Sequence, residues 1–228
     1  MTPEKLLSYD LPLFQGIVAA DLADITLSVS EQNLQPWQTI FEQEDTSCDL
    51  YFLLSGSLLA VLWTKQGREI VFSRFQIGAY FGELAAFDGI PRSLAVVAKT
   101  DARVLAMQRE SFLQLFDKVP VIRDRVTRNL IDRIRTLTRR NLEMTTMSVE
   151  QRVVKHLLRL AVEQGKLSRG AVIEDAPTHA EIAGFVGANR EMVSRSISKL
   201  AKQGVIKSAR QKIEILDPEA LSKGFAHF

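Results

Sequence analysis

Cysteine is almost absent from this sequence of 228 residues, which contains only Cys48. A single cysteine cannot form an internal disulfide, and it cannot supply the several thiolates that hold an iron–sulfur cluster. The three histidines are scattered, and no pair of them has the spacing of a metal site. We therefore expect a protein of the reducing cytoplasm that contains no metal ion and no iron–sulfur cluster.

Long apolar runs are also missing. No segment approaches the roughly 18 consecutive apolar residues that span a bilayer, so no membrane association is predicted. The N-terminal stretch MTPEKLLSYDLPLF has neither the basic start nor the apolar core of a signal peptide. We find no P-loop, no Ser/His/Asp arrangement and no pair of carboxylates in a cleft, so an enzyme is not predicted.

Charge is unevenly distributed, although the net charge is only +2. Residues 1–118 contain 9 basic and 15 acidic side chains, whereas residues 119–228 contain 20 basic and 12 acidic ones. Such an asymmetry indicates two modules with different partners. The basic second module is the one expected to bind a polyanion.

The apolar pattern divides the chain into segments of different type. Residues 13–30 have the periodicity of a short amphipathic helix, and residues 33–108 alternate β-branched and aromatic runs with turns. Helical periodicity returns at about 109–116 and continues, after a break, to the C-terminal region. An α+β fold is predicted, with a small antiparallel barrel or sandwich first. We place domain boundaries to give residues 1–118, 119–146 and 147–228.

A long helix is predicted over residues 119–144, with Pro120 in its first turn. Its apolar side chains recur three and four positions apart and are surrounded by arginines. The members of this stripe are Val126, Leu130, Ile134, Leu137, Asn141 and Met144. A narrow seam of this kind favours packing against another helix, and a homodimer is the simplest arrangement. The alternative is that the helix lies on its own domain.

Residues 178–203 have the pattern of a helix–turn–helix. Thr178 and Glu181 form a capping box, Gly187 suits the turn, and Asn189 suits the N-cap of a second helix. The following sequence, VIKSARQKIEIL, reads as strand, basic turn and strand, which is the pattern of a wing. Between residues 178 and 212 there are 7 basic and 2 acidic side chains. Double-stranded DNA is therefore the predicted partner.

The second helix of this motif carries the side chains expected to contact DNA. Arginine at its start can bind guanine O6 and N7, and glutamate can accept from cytosine N4. Lysines there are better suited to phosphates. The predicted DNA-binding residues are Thr178, Arg190, Glu191, Ser194, Arg195, Ser198 and Lys199. A competing interpretation pairs Glu191 with Arg195 as a surface ion pair.

The stretch FGELAAFDGIPRSLAVVA, residues 81–98, places Glu83 and Arg92 in an otherwise apolar segment. A buried ion pair contributes little to stability, because desolvation offsets its attraction. A ligand would give the two charges separate tasks: a carboxylate accepts from ribose hydroxyls, and a guanidinium binds a phosphodiester. Ser93 and the backbone near Gly82 could complete an anion site. The spacing fits a nucleotide whose sugar and phosphate lie close together.

This stretch resembles the phosphate-binding cassette of cyclic-nucleotide-binding domains. Together with the long helix and the winged helix–turn–helix, it makes nearly the whole chain similar to the cyclic AMP receptor protein family of bacterial regulators. The resemblance implies an N-terminal β-roll, a dimerisation helix and a C-terminal DNA-binding domain. It also implies that Glu83 holds the ribose and that Arg92 and Ser93 hold the cyclic phosphate. Gly82, Leu84 and Ala85 would shape the cassette.

One position departs from the family. Two adjacent hydroxyl residues on the long helix contact the base in the family, and here those places hold Leu137 and Thr138. Thr138 remains a candidate base contact, and Arg133 lies about one turn before it. The loss of one hydroxyl weakens the case for adenine, so both cyclic AMP and cyclic GMP are candidates. Haem sensing, known in relatives, is disfavoured by the intact Glu83 and Arg92.

The function implied by the resemblance is a cyclic-nucleotide-responsive transcription regulator, mainly an activator. Arg190, Glu191 and Arg195 match the family's base-reading residues, which favours a palindromic TGTGA-like site. The exposed loop 163–172 is the expected contact with RNA polymerase. Two alternatives stay open: a nucleotide-binding module that acts on a protein partner, and a regulator that binds DNA without a ligand.

Overall fold

The computed structural model describes residues 1–63 and 69–223. Packing divides the chain into two compact units, residues 1–69 with 73–135 and residues 70–72 with 136–228. None of the helices among the described residues is long and apolar enough to cross a membrane.

The first part of the chain is mainly β-structure. In chain order its elements are α1 (Pro3–Leu7), β1 (Val29–Leu34), β2 (Thr39–Phe41), β3 (Leu50–Ser55), β4 (Leu58–Trp63), β5 (Glu69–Arg74), β6 (Tyr80–Phe81), α2 (Glu83–Asp88), β7 (Ala95–Ala98), β8 (Ala102–Met107) and α3 (Arg109–Lys118). One sheet has the strand order β1-β8-β3-β6, and the other has the order β2-β7-β4-β5. The pairings within them are antiparallel.

Strands β3, β6 and β8 of the first sheet are mostly buried on both faces, because their side chains alternate between two cores, whereas β1 is largely exposed. Tyr51, Leu53 and Phe81 join side chains of the second sheet inside the roll. Phe52 and Tyr80 point the other way, into a core shared with α1 and α3. Strand β6 thus presents one residue to each core, and the cassette follows it directly in the chain.

The predicted helix over residues 13–30 is wrong. The segment forms two short 3₁₀ turns, Pro12–Phe14 and Ala19–Leu22, and enters β1 at Val29. Gly16, which has a φ of +71°, separates the turns and interrupts any continuous helix. The apolar side chains are buried nonetheless, which explains the helix-like spacing. The core shared with α1 and α3, here called the first core, contains Leu13, Phe14, Ile17, Leu22 and Ile25.

The helix α4 (Pro120–Thr146) has 27 residues. Its apolar stripe has two environments. Val126 is buried and Leu130 packs against the same core, so this end of the stripe lies on the chain's own first unit. Further along, Ile134 is 63 % exposed and Leu137 is 50 % exposed. Only the second half of the stripe therefore remains accessible as a seam.

The C-terminal elements pack around a hydrophobic core of their own, here called the second core. They are α5 (Val149–Glu163), β9 (Val172–Glu174), α6 (His179–Val186), α7 (Arg190–Lys202), β10 (Ile206–Ala209), β11 (Lys212–Ile215) and α8 (Pro218–Lys223). The strands make an antiparallel sheet in the order β10-β11-β9, so the predicted two-stranded wing gains a third strand. Val153, Leu157, Ile182, Val193 and Ile213 are among the buried residues that hold this region together.

Candidate ligand and DNA sites

The cassette begins with a glycine that no other residue could replace without strain. Gly82 has a φ of +86° and is the N-cap of α2. A Cβ atom there would lie 2.6 Å from Nη1 of Arg92 and 2.8 Å from the carbonyl oxygen of Asp49. Contacts this short are excluded by van der Waals repulsion, and positive φ is itself unfavourable for a residue with a Cβ. Glycine lets the backbone approach the guanidinium directly.

Arg92 is 3 % exposed, and its guanidinium is held by three hydrogen bonds. Nη1 donates to the carbonyl oxygen of Gly82 at 3.0 Å, Nη2 to that of Asp49 at 2.8 Å, and Nε to Oγ of Ser47 at 3.3 Å. The group also lies 4.2 Å from the centre of the Phe41 ring, which is within the range of a cation–π contact. The cation is fixed in place, and no carboxylate of the described residues forms an ion pair with it.

This arrangement leaves capacity for an anion. A guanidinium has five N–H donors, and the described residues accept from three of those on Arg92. Burial lowers the pKa of Arg92, and the charges of nearby groups such as Asp45 and Asp49 oppose that change. An arginine nevertheless stays protonated at neutral pH. A buried cation with spare donors is suited to a phosphate.

Glu83 is 1 % exposed and is the first residue of α2. Its Oε1 accepts from Nη1 of Arg133 on α4 at 2.6 Å, and Nη2 of Arg133 donates to the carbonyl oxygen of Tyr80 at 3.3 Å. Glu83 and Arg92 therefore have separate partners and are not paired with each other. Arg133, predicted as a ligand contact, is placed here as the partner of the carboxylate.

The other predicted ligand residues have varied positions. Ala85 is buried beneath the cassette, whereas Leu84 is half exposed and Ser93 is exposed at the mouth of the segment before β7. Thr138 is exposed on α4 and belongs to the second compact unit. The structure thus brings Gly82, Glu83 and Arg92 together around one backbone turn, and the role of Thr138 stays a prediction.

The helix–turn–helix forms as predicted. The Thr178 side chain accepts from the Glu181 backbone, and the Glu181 side chain accepts from the Thr178 backbone. Gly187 ends α6 with a φ of +61°, and a Cβ there would approach Cε of Met144 to 3.0 Å. The Asn189 side chain accepts from the Met192 backbone and starts α7. These caps fix the angle at which α7 leaves the turn.

The outward face of α7 carries the predicted DNA contacts. Arg190, Glu191, Arg195, Ser198 and Lys199 are exposed, and so is Thr178 at the start of α6. An open groove of about 470 Å³ runs along this face and is lined by Ser194, Arg195, Ser198, Lys199, Lys202 and Gln203. No ion pair joins Glu191 to Arg195 within the described part of the chain, so the competing interpretation of that pair is not supported.

Two of the predicted DNA contacts already have protein partners. Oγ of Ser194 is 2.8 Å from Nδ1 of His179, which links α7 to the first residue of α6. Nζ of Lys199 is 2.8 Å from Oε1 of Glu150, and both side chains are about half exposed. An exposed ion pair of this kind contributes little to the free energy of folding, so a DNA phosphate can displace Glu150 from Lys199 at a small cost in free energy.

Comparison with known proteins gives one family match in the β-rich first part of the chain and another in its C-terminal part. Residues 31–119 match the cyclic nucleotide-binding domain, and residues 151–223 match the Crp-like helix-turn-helix domain. The chain is 31 % identical over 216 residues to the cyclic AMP receptor protein of Thermus thermophilus, an alignment that covers 93 % of this chain and 95 % of that protein. The chain belongs to the cyclic AMP receptor protein family of transcription regulators.

Two further comparisons concern a curated relative and a solved structure with the same fold. A CRP-like cAMP-activated global transcriptional regulator of Mycobacterium tuberculosis is 28 % identical over 212 residues, which covers 92 % of this chain and 95 % of that protein. The structure of the c-di-GMP responsive regulator CLP of Xanthomonas campestris has the same fold, with a TM-score of 0.71 and 23 % identity over 82 % of this chain and 94 % of that one. The α+β fold and the DNA-binding, non-enzymatic character predicted from the sequence are confirmed by family membership.

Several neighbours of the site could not be found from the sequence. Ser47 and Asp49, which hold Arg92, lie more than forty residues before it and have no distinguishing pattern. The contact of Arg133 with Glu83 spans 50 residues. His179, which bonds Ser194, is distinguishable only by its place at the first position of α6.

Proposed function

We propose that the protein is a homodimeric transcription regulator that binds a cyclic nucleotide between Glu83 and Arg92 and then binds a palindromic TGTGA-like DNA site. The observation that carries this proposal is the separation of two buried charges. Glu83 and Arg92 are 1 % and 3 % exposed, they adjoin one glycine turn, and neither neutralises the other. Glu83 is paired with Arg133, but Arg92 has no carboxylate partner among the described residues, so an anionic ligand would offset the cost of burying this cation.

Each group matches one part of a cyclic nucleotide. Arg92, with its spare N–H donors, would hold the phosphate together with Ser93, and Glu83 would accept from a ribose hydroxyl. Thr138 on α4 is the proposed base-side contact, and Arg133 is proposed to act on the ligand through Glu83, its partner in the structure. Cyclic AMP is the first candidate, because the Thermus thermophilus and Mycobacterium tuberculosis relatives carry it in their names. Cyclic GMP is the second, because Leu137 occupies a place where the family has a hydroxyl.

Dimerisation is proposed through the exposed end of the α4 stripe. Ile134, Leu137 and Met144 of this stripe are between 47 % and 63 % exposed. Burial of such side chains against a two-fold partner is favourable by roughly 25 cal/mol per Å². Two recognition helices of a dimer would then meet half-sites about 34 Å apart, in successive turns of one face of the DNA.

The central test is a pair of titrations on the purified protein. Calorimetry with cyclic AMP and cyclic GMP measures the affinity, and fluorescence anisotropy with a TGTGA palindrome measures DNA binding with and without the nucleotide. We expect nucleotide binding and a gain in DNA affinity of about 10- to 100-fold, which is the usual size of allosteric coupling. Nucleotide binding without any effect on DNA affinity would favour a module that acts on a protein partner. DNA affinity that is high without nucleotide would favour a ligand-independent regulator.

Activation is proposed to involve the loop between α5 and β9. Residues 162–170 are all exposed, and they include the cations Lys166 and Arg169. In transcription assays with purified RNA polymerase, replacing both cations by alanine should reduce activation and leave DNA affinity unchanged. Repression at the same promoter by the unmodified protein would contradict the activator role.

A further inference from the structure

Tyr80 is a polar residue in an apolar environment. It is the first of the two residues of β6, and its side chain points into the core that contains Phe52, whose ring centre is 6.2 Å away. Its neighbour Phe81 points into the roll. Tyr80 is only 7 % exposed, so the ring position could be filled by a phenylalanine with no change of shape.

The hydroxyl of Tyr80 is buried and has no hydrogen-bond partner among the described residues. A buried hydroxyl without a partner is unfavourable, because it has given up its bonds to water and gained none. Such a group in a native protein calls for an explanation, and one explanation is a second conformation in which the bond is made. The neighbours of the hydroxyl indicate what that bond would be.

Two charged side chains act on this hydroxyl. Burial raises the pKa of Tyr80 to about 12; the carboxylate of Glu83 contributes in the same direction and Arg133 opposes it. These are the two groups joined by the 2.6 Å ion pair, and the same guanidinium donates to the carbonyl oxygen of Tyr80. Tyr80, Glu83 and Arg133 therefore form one cluster, in which the Tyr80 hydroxyl has no hydrogen-bond partner among the described residues.

We propose that the Tyr80 hydroxyl is an alternative donor to the Glu83 carboxylate, and that it takes the place of Arg133 when nucleotide is bound. The proposal rests on the proposed function, because it requires a ribose that draws Glu83 away from Arg133. Glu83 is buried, and a ribose hydroxyl can donate to only one of its two carboxylate oxygens at a time, so the other oxygen still needs a donor when nucleotide is bound. Arg133 is 42 % exposed and can turn into solvent, whereas Tyr80 is fixed in the core.

The exchange gives the ligand a means of acting on α4. In the structure, Arg133 ties α4 to the cassette through the carboxylate. When Tyr80 takes over that carboxylate, the tie is released and α4 is no longer held to Glu83. A ligand shifts a conformational equilibrium only through contacts that differ between its two states, and this hydrogen bond is such a contact. Tyr80 is thus a positioning residue, since it acts on the nucleotide through Glu83.

The test compares Tyr80→Phe with the unmodified protein and with Tyr9→Phe as a matched control. The hydroxyl of Tyr9 donates to Glu31 at the surface, so the control removes a hydroxyl outside the cluster. Calorimetry gives the cyclic AMP affinity, and thermal melting is measured with and without nucleotide. We expect Tyr80→Phe to melt higher than the unmodified protein without nucleotide, and to bind cyclic AMP about tenfold more weakly, the size of a hydrogen bond to a charged group. Tyr9→Phe should leave the affinity unchanged.

A purely structural hydroxyl would behave differently. If the hydroxyl is only structural, Tyr80→Phe should melt higher than the unmodified protein by the same amount with and without nucleotide, and its affinity for cyclic AMP should stay within about twofold. That outcome would overturn the inference and leave the proposed function intact. Absence of cyclic AMP and cyclic GMP binding to the unmodified protein would overturn both.

A double-mutant cycle with Arg133→Met tests the exchange itself. Without Arg133, the carboxylate is available to Tyr80 already in the free protein, so the hydrogen bond no longer distinguishes the two states. The tenfold effect of Tyr80→Phe on affinity should then fall to less than about twofold. An equal effect in both backgrounds would show that the two donors do not compete for Glu83, and would overturn the proposal.

Discussion

Glu83 and Arg92 are almost fully buried, whereas Arg190, Glu191 and Arg195 on α7 are exposed. In the cassette each charge is held by hydrogen bonds to the protein before any ligand arrives. On α7 the proposed base-reading side chains have no ion pair or side-chain hydrogen bond among the described residues, and the helix is supported from below by the Asn189 cap and by buried Val193. A small ligand can be enclosed by preorganised charges, but a DNA groove must be approached from outside.

This difference has a consequence for mutation. Replacing a buried, hydrogen-bonded charge changes both the stability of the domain and its affinity, because the partners of that charge stay behind unsatisfied. Replacing an exposed side chain on a capped helix changes affinity alone, since surface substitutions affect the free energy of unfolding by less than about 0.5 kcal/mol. Four predictions test whether buried groups affect both stability and affinity, and exposed groups affinity alone.

The largest effect is expected for Arg92→Leu. The substitution removes the proposed phosphate partner and leaves the carbonyl oxygens of Gly82 and Asp49 without the Arg92 donor. We expect nucleotide affinity to fall by at least about 100-fold, and the free energy of unfolding to fall by about 1–3 kcal/mol. Calorimetry and urea denaturation measure the two changes. Retention of nucleotide-dependent DNA binding by this variant would show that the phosphate is bound elsewhere.

The second prediction concerns the exposed site. Arg195→Ala should reduce affinity for a TGTGA palindrome by about 10- to 100-fold, the size expected for a bidentate contact with a base, and should leave the unfolding curve unchanged. Anisotropy titrations with this duplex and with a scrambled one measure the specificity. The matched control is Lys202→Ala in the same groove. It should weaken both duplexes alike and reduce the salt slope by about 0.9. If Arg195→Ala behaved like that control, Arg195 would be a phosphate contact.

The third prediction separates backbone strain from loss of the site. Gly82 and Gly89 both have positive φ, at +86° and +70°. A Cβ at Gly82 meets Arg92, whereas one at Gly89 has no heavy atom within 4 Å. Gly89→Ala should destabilise the domain by about 1 kcal/mol through strain, whereas Gly82→Ala should destabilise it more because of the added clash, and it alone should weaken nucleotide binding, by about tenfold. Equal affinities for the two variants would mean that Arg92 can move aside freely.

The two sites also differ in how far the sequence predicts them. The helix–turn–helix is a local motif in which Thr178, Gly187 and Asn189 each specify their own backbone conformation, and all three act as predicted. The cassette is local as well, from Gly82 to Arg92. What holds its charges is not local. Ser47, Asp49 and Arg133 reach the site because strands and α4 bring distant segments together, and nothing in their own neighbourhood reveals it.

The two failures of sequence reasoning have one physical cause. Apolar spacing reports which side chains are buried, but not the backbone or the partner that buries them. Residues 13–30 bury a helix-like set of side chains with two 3₁₀ turns. The stripe of α4 reads as continuous, yet Val126 packs on the chain's own core while Ile134 is exposed. Tertiary contacts decide both cases.

The smallest effect concerns a partly buried titratable group on α5, in the second compact unit. The His156 ring on α5 stacks on Phe185 at 4.9 Å, and its Nε2 has no partner within the residues described. Burial, reinforced by the positive charges of Arg159 and Arg140, lowers the pKa of His156 to about 4. The neutral form is therefore favoured in the folded state, whereas the unfolded chain takes up a proton near pH 6.5.

The sign of the pH dependence follows from linkage. The contribution of His156 to stability is complete above about pH 6.5, and it is lost as the pH falls toward 4, because the unfolded state then binds the extra proton. At pH 5.5 the loss should be about 1 kcal/mol relative to pH 7.5. His156→Phe keeps an aromatic ring against Phe185 and removes the titration, so its unfolding free energy should fall less over this range. His179, whose pKa is also lowered by burial and by Arg190, titrates in both proteins and cancels in the difference. The unfolding free energies of the two proteins are measured by urea denaturation at pH 5.5 and 7.5. An equal fall between these pH values in both proteins would show that His156 is solvated, and that the second core accepts a charge as readily as the outer face of α7 does.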